Sequence, residues 1–235
     1  TQDGAIALAD GLADVSAGSN VDVAVFPPFP WLVQVRQRLE GSSVMVGAQN
    51  CYIGRSGAFT GEVSAEMLAG VCDYVLAGHS ERRHVFNESD ALVGEKVEAI
   101  LGAGLRAVLC VGETLDEREA RSAEAVVQRQ LEAGLTVQSS EDLASIVVAY
   151  EPVWAIGTGA AATPDDAQEM CAFIRQWLSR RFGQVGSDTL VLYGGSVTPE
   201  NARTLFTQAD IDGGLVGGAS LKVESFRAIV DAATS

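Results

Sequence analysis

Short apolar, β-branched runs alternate along the whole chain with longer segments whose apolar positions recur at helical spacing. The first segment, Thr1 to Gly18, sets Ile6, Leu8, Ala9 and Leu12 on one face and predicts an amphipathic helix. Seven apolar runs follow: Val21 to Phe26, Ser43 to Ala48, Asp73 to Ala77, Arg106 to Val111, Ser145 to Tyr150, Thr189 to Tyr193 and Gly214 to Val216. Their near-continuous hydrophobicity is that of strands buried on both faces. Between them the pattern predicts helices over Trp31 to Leu39, Val63 to Leu68, Asp90 to Leu101, Asp116 to Leu131, Thr163 to Phe182, a segment opened by Thr198-Pro199, and a terminal segment to about Ala233. Strand and helix in strict alternation imply a parallel sheet covered by helices. No linker, low-complexity tract or charge block interrupts the pattern, so residues 1–235 are expected to form one domain.

Each strand ends in small or polar residues: Gln49-Asn50, Gly78-His79, Gly112-Glu113, Glu151, Gly194-Gly195-Ser196 and Gly217-Gly218. Gathered on one side, these ends make a polar rim like the C-terminal face of a closed barrel, where a barrel enzyme carries its chemistry. A doubly wound open sheet would want a glycine-rich dinucleotide turn after its first strand, and the chain has none there. The segment Ala149 to Gly159 organises the rest. A buried strand stops at Glu151, Pro152 forbids further ladder pairing, and a loop of apolar and small residues runs on to Thr163-Pro164. Thr163 as N-cap, Pro164 at the first helical position and Asp166 completing a capping box predict a firm helix start. A carboxylate followed by a loop anchored at both ends reads as a base under a lid.

Composition narrows the partners. With 47% hydrophobic residues the chain can bury a large core. Its formal net charge of -15 argues against nucleic acid or an anionic membrane, although backbone amides can still hold a small phosphate. No apolar run is long enough to span a bilayer, and no signal-peptide pattern is seen. Cys51, Cys72, Cys110 and Cys171 lie far apart, fitting neither a metal site nor a disulfide framework. Reduced thiols in a cytoplasm are expected.

Two of the strand ends carry candidate chemistry and a third pair carries a candidate anion site. Glu151 is the candidate base. His79, just before Ser80 and an expected helical turn, is placed where a positive helix end disfavours imidazolium and leaves a neutral ring. The pairs Gly194-Gly195 and Gly217-Gly218 can present backbone N–H groups to a phosphate.

These stretches, with Gly47 to Asn50, Ser56 to Glu62, Gly78 to Arg83, Cys110 to Thr114, Ala149 to Gly159, Tyr193 to Val197 and Asp212 to Leu221, closely resemble the triosephosphate isomerase family, in its order and over nearly the whole chain. The resemblance implies a TIM (β/α)8 barrel that interconverts dihydroxyacetone phosphate and glyceraldehyde 3-phosphate in glycolysis and gluconeogenesis, with no cofactor and no metal. It implies Glu151 as base, His79 as neutral donor and Glu81 as supporting carboxylate. Gly157, Ser196, Gly217 and Gly218 would contact the phosphate. Pro152, Val153, Trp154, Ala155, Ile156, Thr158 and Gly159 would belong to the lid, latched by Tyr193 and Ser196. The long loop Cys51 to Gly61 would place Thr60 at a neighbouring subunit's site in a homodimer. The family's first strand, which ends in an Asn-x-Lys motif, is not found ahead of the first helix, so seven of the eight strands are expected. Neither Lys96, in a helix, nor Lys222, after the last glycine pair, stands in for that lysine. The alternative expectation is a weak or inactive barrel kept as a binding or interaction protein.

Overall fold

The computed structural model describes residues 1–15, 18, 20–136, 139–156 and 162–234. Seven strands are seen among them: β1 (Val23–Val25), β2 (Val44–Ala48), β3 (Tyr74–Ala77), β4 (Arg106–Val111), β5 (Ile146–Tyr150), β6 (Val191–Tyr193) and β7 (Gly213–Gly214). Helices precede and separate them. In the first half these are α1 (Gln2–Leu12), α2 (Leu32–Arg38), α3 (Ala65–Leu68), α4 (Ser80–His84), α5 (Asp90–Gly102) and α6 (Leu115–Glu119). In the second half they are α7 (Ala123–Gly134), α8 (Ser140–Ala144), α9 (Pro164–Phe182), α10 (Gln184–Asp188), α11 (Ala202–Phe206) and α12 (Val223–Ala233). Among the described residues no helix is long and apolar enough to cross a membrane.

Every strand pairs parallel to the next in the chain, giving the order β1 to β7. Side chains alternate across such a sheet, and the two faces sort into two apolar layers. Ala107, Leu109 and Val111 face outward with Ile174, Leu131 and the other buried helix residues. Val108 and Cys110 face inward with Tyr74, Leu76, Val147 and Ala149, and Ala24, Phe26, Met45, Leu192 and Leu215 pack on them. Residues from one end of the sheet to the other thus meet in a single inner cluster. A sheet can do that only by curling round on itself, so the architecture is an α/β barrel of seven described strands.

Register decides where the chemistry goes. Val111 pairs with Tyr150, and Tyr150 with Tyr193. The residues one step beyond, Gly112, Glu151 and Gly194, therefore emerge side by side at the C-terminal rim.

Local signals account for most boundaries. Thr163 and Asp166 form the expected capping box ahead of Pro164, an arrangement that contributes on the order of 1 kcal/mol. Two expectations are corrected. Asp116 to Leu131 is not one helix but α6 and α7, parted at Arg121 (φ 56°). Thr114 and Glu117 open α6 with a capping box, and Ser122 N–H and Arg121 N–H close it on the Glu117 and Arg118 carbonyls. That is a left-handed helix stop written with arginine where glycine is usual. The pair Thr198-Pro199 does not open a helix either. Asn201 Oδ1 accepts the Thr198 N–H at 2.8 Å, forming a turn, and α11 begins only at Ala202. The short helices α8 and α10 were not expected from the pattern.

Helix packing on the outer layer gives a direct check. A Cβ added at Gly94 of α5 would lie 2.3 Å from the Ala133 carbonyl oxygen of α7, whereas at Gly102 the nearest atom is 3.8 Å away. Gly94→Ala is expected to lower stability by about 1–3 kcal/mol. Gly102→Ala should be neutral or stabilise by up to about 1 kcal/mol. Thermal unfolding of both measures this, and a Gly94→Ala midpoint equal to the parent's would contradict the close α5–α7 approach.

Candidate active site

Glu151 leaves β5 into a slot walled by glycine. A Cβ at Gly112 would meet the Glu151 carbonyl oxygen at 1.7 Å, and one at Gly194 would meet Glu151 Cγ at 2.9 Å. Only the absence of side chains on both neighbouring strand ends admits the glutamate. Its residue is 2% exposed, so its charge must be met by donors within the protein.

Three donors do so. Ser80 N–H donates to Oε2 at 2.9 Å and Ser80 Oγ–H to Oε1 at 2.9 Å. His79 Nε2 lies 3.1 Å from Oε1. The tautomer follows from the other ring nitrogen: His79 caps α4, its Nδ1 accepting the Glu81 N–H at 3.4 Å. A nitrogen that accepts carries no proton, so the imidazole is neutral and its hydrogen is on Nε2, aimed at the carboxylate. Burial pushes the Glu151 carboxyl above the ordinary carboxylate range, and His79, Ser80 and Cys110 oppose that rise. Glu81 supports the pair through its backbone; its carboxylate is exposed at the rim, 3.9 Å from His79 Nδ1.

Beyond Glu151 the first part of the expected lid is a 3-10 turn, Val153–Ala155, after Pro152 and before Ile156. It is tied to β4 through a second buried carboxylate. Glu113 is 0% exposed, and its Oε1 accepts from Trp154 Nε1 at 2.9 Å, Tyr150 OH at 3.1 Å and Arg118 Nη1 at 3.3 Å. The Arg118 guanidinium lies 4.6 Å over the Trp154 ring and its Nη2 donates to Asp166, the capping residue of α9, at 2.5 Å. Gly157, Thr158 and Gly159 lie outside the described residues.

The remaining expected residues sit around the same rim or on its flank. Tyr193 is buried with its hydroxyl against Gly195, where a Cβ would be 2.2 Å away, and Ser196 is exposed. Gly217 and Gly218 open a 3-10 turn, Gly218–Leu221, whose start has no side-chain cap, and a Cβ on either glycine would meet open space. Such a bare turn is suited to receive an anion on its amides. Thr60 is exposed on the long loop, where Phe59 is exposed but Tyr52 and Ile53 are half-buried; the Tyr52 and Phe59 rings sit 4.7 Å apart. Lys96 is not solvated on its helix. It is 3% exposed and joins Asn50 Oδ1 at 2.6 Å to Glu88 Oε1 at 2.5 Å.

Sequence reasoning did not assign Ser80, Cys110, Glu113 or Arg118. Glu113 was itself singled out as a strand end, without a role, and Ser80 adjoins the one at His79.

A family model described as triosephosphate isomerase matches residues 1–233. The chain belongs to the triosephosphate isomerase family. A triosephosphate isomerase from Carboxydothermus hydrogenoformans is 54% identical over 225 residues, 95% of this chain and 88% of the relative. Others from Marinobacter nauticus and Hahella chejuensis are 53% and 47% identical, covering 91% and 97% of this chain and 84% and 91% of the relatives. The arrangement places a buried carboxylate 3.1 Å from an imidazole nitrogen.

The Ser80 Oγ–H bond favours ionised Glu151, so its loss must raise the carboxyl pKa further, while the Ser80 N–H bond stays. Ser80→Ala, which removes the hydroxyl donor alone, is expected to move the acid limb of the kcat/KM profile to higher pH. A limb that stays put or moves down would contradict the assigned bonding.

Proposed function

We propose that this chain, acting as one domain over residues 1–235, interconverts dihydroxyacetone phosphate and glyceraldehyde 3-phosphate, with Glu151 as the base and His79 as the donor. The observation that carries the reading is the His79 geometry: Nδ1 accepts the Glu81 amide at 3.4 Å and Nε2 faces the buried carboxylate at 3.1 Å. Glu151 takes a proton from the carbon beside the carbonyl and returns it to the neighbouring carbon. His79 donates to the substrate oxygens as they become negative, giving the enediolate a partner without a net charge to desolvate. A raised carboxyl pKa suits this work, because a base is most effective when its pKa approaches the working pH.

Backbone amides at Gly157, Gly217 and Gly218, with Ser196, hold the phosphate. The lid, Pro152 to Gly159, closes with Tyr193 and Ser196 and keeps water from the intermediate. The substrate's remote phosphate thereby contributes binding that orients the reacting carbons. The working form is a cytoplasmic homodimer in which the loop bearing Thr60 reaches the partner. Supporting that, Phe59, Met67, Val85 and Phe86 are large apolar residues left exposed in the segments before and after β3.

Two measurements test the reading. Glu151→Asp withdraws the base by one methylene and is expected to lower kcat on the order of tenfold to hundredfold with the fold intact. A parental rate at unchanged thermal stability would remove Glu151 as base. In solution, light scattering is expected to give twice the chain mass; a monomer at high concentration would refute the dimer.

A further inference from the structure

β4 outruns its neighbour on one side. Its ladder with β3 ends at Ala77↔Leu109, while its ladder with β5 continues to Val111↔Tyr150. Successive residues of a parallel strand offer their N–H and C=O groups to alternate neighbours. On the β5 side, the Val111 carbonyl accepts from Glu151 N–H at 2.8 Å and the Glu113 carbonyl from Val153 N–H at 3.1 Å. On the β3 side, the Cys110 carbonyl and both backbone groups of Gly112 lie past the last pair, yet both residues are buried and these groups need partners.

Side chains supply them. Arg83 Nη2 donates to the Cys110 carbonyl at 3.0 Å. Gln130, reaching in from α7, satisfies Gly112 twice: its Oε1 accepts the N–H at 2.7 Å and its Nε2 donates to the carbonyl at 3.1 Å. The residue is 4% exposed. Its carboxamide stands in for one residue of the strand that is missing at that level.

We infer that Gln130 is a positioning residue for the reaction, holding the end of β4 and, through it, the backbone of Glu151 and the root of the lid. The inference rests on the isomerase reading above. Gly112 lies so close to Glu151 that a Cβ would come within 1.7 Å of its carbonyl oxygen, so movement of one displaces the other. The next residue, Glu113, holds Tyr150, Trp154 and Arg118. One carboxamide therefore sits at the root of both the base and the lid anchor while touching neither carboxylate. An outer-layer helix acquires a route to the chemistry that runs through a single peptide unit.

The test compares two variants with the parent. Gln130→Met keeps length and removes both hydrogen bonds. It is expected to lower kcat of the folded protein on the order of tenfold or more, with KM changed by no more than about twofold. Gln130→Glu keeps the shape but, when ionised, sets an anionic oxygen against the Gly112 carbonyl; protonated, it donates there and restores both bonds. The ratio of its kcat to the parent's should rise as pH falls through its carboxyl pKa, which burial raises. Independently of turnover, emission of Trp154 in a Trp31→Phe, Trp177→Phe background should shift in Gln130→Met. Parental kcat in folded Gln130→Met with unchanged Trp154 emission would overturn the inference. If Gln130→Met does not fold, a Gln130→Glu ratio flat with pH overturns it. A parent that does not isomerise triose phosphates would instead sink the functional reading, and the Trp154 emission would still decide on the clamp.

Discussion

Keeping an ionisable acid out of water is the constraint on which this rim depends. Burying a carboxylate costs several kcal/mol even after the protein relaxes around it. Hydrogen bonds to a charged group each contribute about 1.5–3 kcal/mol. The Ser80 amide, the Ser80 hydroxyl and the His79 Nε2–H together are thus of the same order as the cost. The outcome is a carboxyl whose pKa is raised but still opposed by its donors. Those donors come from the turn into α4, on the far side of β4 from β5. The site exists only because the parallel register brings strand ends that are distant in sequence to one level.

A second buried carboxylate, Glu113, stands on the neighbouring strand and has a different task. It gathers a phenol, an indole and a guanidinium on one oxygen. The guanidinium continues to Asp166, so a single arginine connects the first turn of the lid to the capping box that ends it. Arg118 lies in α6, whose start is fixed by the Thr114–Glu117 capping box directly after Glu113. The two carboxylates differ in what they hold: Glu151 is met by the turn into α4, and Glu113 gathers the side chains around the lid's first turn.

Much of this was legible in the chain alone, for reasons that differ by residue. Strands buried on both faces appear as unbroken β-branched runs, so the seven strands were found with edges off by no more than two residues. The capping box at Thr163 is local chemistry and was readable as such. Glu151 and His79 stood out because polar residues at the ends of apolar strands have few structural reasons to be there. The break at Arg121 was hidden because its stop is written with an arginine and the apolar period runs through it. Thr198-Pro199 carried the letters of a helix start, but a nearby asparagine claimed the amide. The roles of Ser80, Cys110 and Glu113 depend on which strand ends become neighbours. Gln130 depends further on how α7 packs, and it meets Gly112 from 18 residues away. Periodicity says nothing about either.

The glycine walls around Glu151 bear on how this barrel tolerates mutation. Gly112 and Gly194 have no side chain with which to touch a substrate, yet any atom added to either enters the space of the base or its backbone. In a saturation screen scored by growth or turnover, these two positions would be as intolerant as the reacting residues themselves. Intolerance there would reflect volume, with no chemistry behind it. The footprint of essential positions on this rim is therefore larger than the footprint of groups that meet the ligand, and the difference between the two is the space the enzyme must leave empty.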